Sequence, residues 1–278
     1  MASAPDEQNR AQTVLVVPFF LLTFGLAWSV FAPFLLWPEW AEERLGALHG
    51  RHPLFFLAVY APALVAISLV WRSAGSRGLR HYFGRLLLFR ASLAWYAFLV
   101  FGFPLVFFAG ALIKGEAGSA PLLKEPWMTL FPLALIMLVL GPVEEIGWRG
   151  FALPLLQRFL LPFWSGLVLG VIWAVWHLPA FVLGTTPQAA WEFLPFFIGS
   201  VSCSIILTAL FNHARGSLAL SMLFHFQMNN PLWPDAQPYD MYLFAAASCL
   251  VVWMNRAGLF SSREAVTDLF GDEAETAR

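Results

Sequence analysis

Three short polar clusters interrupt otherwise apolar sequence, and each carries side chains that can move protons or bind an oxyanion. The first lies in Leu138–Gln157, LVLGPVEEIGWRGFALPLLQ, which holds Glu144, Glu145 and Arg149 within six positions. The second is Gly170–Phe181, GVIWAVWHLPAF, where His177 follows Trp173 by four residues. The third is Leu220–Asn230, LSMLFHFQMNN, where His225 and Asn229 are also four apart. A carboxylate beside an imidazole can activate a water for attack on a carbonyl. A second imidazole and an amide can donate to the oxyanion that forms. Glu144, His177, His225 and Asn229 therefore suffice, if they converge, for amide hydrolysis without a Ser or Cys nucleophile. Alternatively, Glu144, His177 and His225 could hold a divalent ion such as zinc that polarises the water. The residue types leave both routes open. The sequence contains no HExxH, no GxSxG and no glycine-rich phosphate loop.

Charges are costly in an apolar segment, at about 2.5–3.5 kcal/mol each at mid-bilayer on insertion scales. Three unpaired would cost on the order of 8–10 kcal/mol. Glu145 and Arg149 are spaced i,i+4, so they share a helix face and can pair. Glu144 points about a hundred degrees away from Glu145 and is free to face a different space. A rival placement ends the span at Pro142 and leaves the charges at a helix end. The apolar residues Phe151, Leu153, Leu155 and Leu156 after Arg149 argue against it. A span from Thr129 to Arg158 instead puts Glu144 at mid-depth. His225 and Asn229 look into one space, which should be the bundle interior. His177 alone would read as a packing residue; its interest comes from its company. His213 reads as interfacial, and His49, His52 and His81 as ordinary loop or interface residues.

Such residues need a scaffold that lives in lipid. The 278-residue chain is 59% hydrophobic, 17% aromatic and 12% charged. A soluble domain usually carries about 25% charged residues. The mean hydropathy of +0.69 agrees with a lipid-facing surface. The expected fold is all-α, a polytopic membrane helical bundle with about eight transmembrane helices. The candidate spans are roughly Val14–Trp37, Leu54–Trp71, Leu93–Ile113, Trp127–Arg158, Pro162–Leu183, Phe193–Asn212, Leu218–Pro231 and Met241–Trp253. Gly75–Arg90, GSRGLRHYFGRLLLFR, alternates Arg with Leu, Phe and Tyr. That pattern predicts an amphipathic helix in the membrane interface. Residues 1–13 form a polar N-terminal segment, 14–254 a single transmembrane domain, and 255–278 a polar, acidic, solvated tail. Cys203 and Cys249 sit in apolar stretches and read as small helix- or lipid-facing residues, not as a disulfide pair. A net charge of -1 gives no reason to expect nucleic-acid binding. Lys and Arg placement puts both termini in the cytoplasm, across what reads as a prokaryotic plasma membrane.

Taken in order, Glu144-Glu145-x-x-x-Arg149, Trp173-x-x-x-His177 and His225-x-x-x-Asn229 resemble the three-motif signature of the CAAX protease and bacteriocin-processing family, also called the Abi family. The resemblance covers residues 127–253, about half the chain. It implies an intramembrane endopeptidase of the type II CAAX prenyl protease kind, labelled a metalloprotease. It further implies Glu144 as the water-activating carboxylate assisted by His177, and His225 and Asn229 as the oxyanion-binding pair. Glu145 and Arg149 would be structural or substrate-orienting. Trp173 departs from the pattern, because the family more often has Phe there. The implied partners are a peptide or protein substrate, lipidated in some members, and the bilayer itself. A non-catalytic immunity or scaffold protein and a proton or solute transporter are the alternatives. The inverted repeat that would favour a transporter is not found in the sequence.

Overall fold

The computed structural model describes residues 14–184 and 186–271. The polar segment 1–13 and the acidic end 272–278 lie outside the described residues. Helices dominate, and the described residues include no strand. Ten elements matter here: α1 Val16–Leu36, α2 Pro38–Leu45, α3 Pro53–Gly84, α4 Leu93–Lys114, α5 Trp127–Leu140, α6 (residues 144–156), α7 Pro162–Trp176, α8 Phe193–His213, α9 Leu218–Met228 and α10 Tyr239–Met254. Six described helices are long and apolar enough to cross a membrane when α5 and α6 are counted as one. The shorter apolar helices α9 and α10 complete an all-α polytopic bundle.

Small residues let these helices approach closely. A Cβ on Gly166 of α7 would stand 2.6 Å from Thr208 Oγ1 of α8, and one on Gly170 would stand 2.8 Å from the Val201 Cα. The Ser204 hydroxyl donates to the Gly166 carbonyl at 2.8 Å. Without a hydrophobic force between helices in lipid, packing of this kind is what joins them. Gly147 of α6 plays the same part against α3, where a Cβ would meet the Pro62 backbone at 2.5 Å.

The fourth apolar segment is not one continuous helix. It breaks at Gly141–Val143, where Glu144, Glu145 and Ile146 N–H bond back three residues to Gly141, Pro142 and Val143 carbonyls. Pro142 has no N–H to offer and its ring crowds the preceding turn, so the helix cannot run through it unbroken. After the break α6 begins with Glu144 and passes through a π-helical turn, Trp148–Ala152. Every residue from Glu144 to Gln157 is buried, which rules out a solvated helix end.

The arginine-rich segment after α3's apolar stretch is helical, and it leaves the α3 axis at Gly75. There φ is 59° and ψ is -154°, a conformation open to glycine. The segment does not keep all its polar heads outward. Tyr82 is fully buried and donates to the Ile146 carbonyl. Arg85 is buried as well, and its Nη2 donates to the Gly150 carbonyl at 2.7 Å. Both serve α6 carbonyls near the π-helical turn, where the regular ladder is disturbed.

The expectation of a solvated tail does not hold for residues 265–271. Gln157 Nε2 donates to the Val266 carbonyl at 2.8 Å, and Arg158 donates to the Thr267 carbonyl. Leu269 is fully buried, and Asp268 meets His81 at 3.0 Å. Apolar residues Val266, Leu269 and Phe270, spaced among the polar ones, account for the docking.

Candidate active site

The break at Gly141–Val143 delivers two adjacent carboxylates into the bundle on different faces. Glu145 is fully buried and turns toward α9. Its Oε1 accepts from His225 Nδ1 at 2.7 Å. Arg149 Nη1, one turn along α6, lies 3.1 Å from each Glu145 oxygen. The guanidinium is itself 0% exposed and rests 5.2 Å from the Trp173 ring centre. Among the described residues Arg149 Nε and Nη2 find no hydrogen-bond partner, so Glu145 is the anion that compensates this buried cation.

Glu144 turns the other way, into a cavity. Its Oε2 accepts two indole N–H bonds, from Trp148 at 3.2 Å and from Trp173 at 2.9 Å. Trp173 is the hub of the site. Its ring centre lies 5.5 Å from that of His177 and 5.6 Å from that of His225, both edge-on. His177 caps α7, and its Nδ1 lies 2.8 Å from the Trp173 carbonyl. A carbonyl can accept and cannot donate, so Nδ1 carries the proton and Nε2 of neutral His177 is bare.

Glycine shapes the fourth wall. A Cβ on Gly141 would fall 2.2 Å from Asn229 Nδ2 and 2.9 Å from His225 Nε2. These two polar atoms therefore converge against the backbone three residues before Glu144. Glu144, His177, His225 and Asn229 all line one cavity of about 830 Å³, together with apolar side chains from α1, α3, α4, α5 and α8. Free Cys203 is buried and lines it too, while Cys249 is exposed and also free.

All seven residues singled out in the sequence thus come together, in two linked layers. Glu144, His177 and Asn229 face the cavity. Glu145 and Arg149 lie behind, and His225 and Trp173 join the layers. Two details differ from the sequence expectation. No hydrogen bond joins His177 to Glu144 among the described residues; Trp173 bridges them, through its indole on one side and its carbonyl on the other. And Glu145, expected to pair with Arg149, also anchors His225.

The donor set does not fit a bound metal ion. Among the described residues no three His, Cys, Asp or Glu side chains gather closely enough to hold one. The Trp173 indole occupies Glu144 Oε2 and packs edge-on against both imidazole rings.

Residues 126–230 match the family described as type II CAAX prenyl endopeptidase, Rce1-like. Over 104 residues the chain is 31% identical to a protein of Methanococcus maripaludis named CAAX prenyl protease 2. That alignment covers 35% of this chain and 38% of the relative, so the chain spans well under half of the relative's length. All seven site residues lie inside the segment that matches the family, which is CAAX protease-like.

Proposed function

We propose that the protein is an intramembrane endopeptidase in which Glu144 activates a water against a peptide carbonyl. The observation that carries this is a carboxylate fixed by two indoles at the head of an apolar cavity, with imidazoles and an amide on the same wall. Both indoles use Oε2, which leaves Oε1 to hold and deprotonate a cavity water. His177 offers a bare Nε2 to the same water or, once protonated, a proton to the leaving amine. Asn229 supplies an amide N–H to the developing oxyanion.

His225 completes the oxyanion site. Its Nδ1–H is given to Glu145, so Nε2 donates when the ring is an imidazolium. Glu145 is the counter-ion that this form requires, as the buried acid is in a serine-protease triad. Arg149 holds Glu145 in place. No step calls on a metal. Cleavage of an apolar quenched peptide by purified protein tests the reading. Asn229→Ala and His177→Ala should each lower kcat while leaving the fold intact. Unchanged kcat in both variants would remove these residues from the chemistry.

A further inference from the structure

The cavity is open at one end of the bundle and closed at the other. Its polar rim is made by His49 and Arg51 between α2 and α3, Gln188 and Trp191 between α7 and α8, and Trp233 and Asp235 between α9 and α10. All three connections lie at the same end. Among the described residues, no side chain from the opposite end lines the cavity.

The two halves of the fourth segment show why. On the rim side, α5 buries Leu130 and Leu140 and leaves its other residues partly or fully exposed. On the far side, all of 144–157 is buried. Phe19, Tyr82, Trp148 and Phe151 are each 0% exposed there. Phe19 packs at a tilt, 5.1 Å between ring centres, against Phe151 and edge-on at 5.7 Å against Trp148. Among the described residues, a plug packed this tightly leaves no path from Glu144 to that end.

The plugged end is also the cationic end. Arg72, Arg77, Arg80, Arg85, Arg90, Arg158, Arg215, Arg256 and Arg263 all belong to it. At the rim end stand Arg44, Arg51, Lys114 and Lys124, beside Glu39, Glu42, Glu43, Glu116, Glu125, Glu192 and Asp235. Lys and Arg in short connections are retained on the cytoplasmic side.

We propose that the cavity receives its substrate from the non-cytoplasmic face. The bond cut then belongs to a peptide segment presented at that face, not to a protein tail in the cytoplasm. The word substrate rests on the endopeptidase reading; the face of access does not.

Single cysteines in a background of Cys203→Ser and Cys249→Ser, labelled with a charged, membrane-impermeant maleimide, decide the matter. Gly50→Cys marks the rim, where a Cβ meets open space. Ser76→Cys marks the exposed arginine-rich end, and Ser200→Cys marks the cavity wall. Gly50→Cys and Ser200→Cys should label in sealed right-side-out vesicles and Ser76→Cys in inverted ones. Labelling of Ser200→Cys from the Ser76 side, or of Gly50→Cys in inverted vesicles, would overturn the proposal. In a second arm, an impermeant quenched peptide should be cut by right-side-out vesicles, with the signal lost in sealed inverted ones. Cleavage confined to inverted vesicles would overturn it equally. Correct labelling with no cleavage in either orientation would sink the endopeptidase reading and leave the access face standing.

Discussion

Replacing Glu145 should damage the fold more than replacing Glu144, although the two are neighbours. Glu145 is 0% exposed and holds two partners, Arg149 Nη1 at 3.1 Å and His225 Nδ1 at 2.7 Å. Glu145→Ala strands a guanidinium that is also 0% exposed. Removing one member of a buried ion pair costs about 3–5 kcal/mol. Glu144 accepts from two neutral indoles and borders a cavity large enough for water. Water can replace a carboxylate as acceptor there, so Glu144→Ala should cost about 1–2 kcal/mol. The difference is about 1–4 kcal/mol by the same two principles. Reversible unfolding in mixed micelles, followed as a function of SDS mole fraction, measures it. Glu145→Ala should unfold first, and the double variant Glu145→Ala, Arg149→Met should recover part of the loss, because no orphan cation remains. Equal losses from the two single variants would refute the assignment of Glu145 to structure and Glu144 to the cavity.

Three further outcomes follow from the site. Trp173→Phe deletes one of the two indole donors to Glu144 Oε2 while keeping the aromatic wall. A hydrogen bond to a charged group contributes about 1.5–3 kcal/mol, so kcat should fall by about 10- to 150-fold with KM little changed; an unchanged kcat would show that Trp148 positions Glu144 by itself. Gly141→Ala places a Cβ 2.2 Å from Asn229 Nδ2 and 2.9 Å from His225 Nε2. A displacement near 1 Å at a reacting centre lowers rate by about a hundredfold, and circular dichroism should show helicity intact; wild-type turnover would mean these two side chains do not bind the oxyanion. Dialysis against a strong chelator should leave peptide cleavage unaltered, since no three His, Cys, Asp or Glu side chains gather around one point among the described residues. Loss of activity restored by added zinc would contradict that geometry.

The apolar spans, the inward polar residues and the Glu145–Arg149 pair were legible in the sequence because each depends on local spacing. Helical periodicity places residues four apart on one face whatever the rest of the chain does. The Glu145–His225 bond was not legible, since it spans 80 positions and depends on how α6 and α9 pack. The break before Glu144 carried a signal, Gly141-Pro142, but a proline in an apolar span can equally leave a kinked, continuous helix. Trp173 looked like a conservative aromatic exchange; its importance lies in an indole N–H whose direction no spacing rule reports. The inward turn of Tyr82 and Arg85 was hidden because the arginine alternation satisfies an interfacial helix just as well. The apolar Val266, Leu269 and Phe270 did signal a docked segment, beneath an acidic composition that pointed to solvent.

Water activation by Glu144 is tested most directly by one comparison. Wild-type protein and Glu144→Gln, purified side by side and matched for unfolding transition, are assayed on the same quenched peptide. Glutamine keeps an acceptor for both indoles but cannot take a proton, so cleavage should fall to background while the fold and peptide affinity persist. Cleavage by Glu144→Gln at the wild-type rate would contradict the mechanism outright.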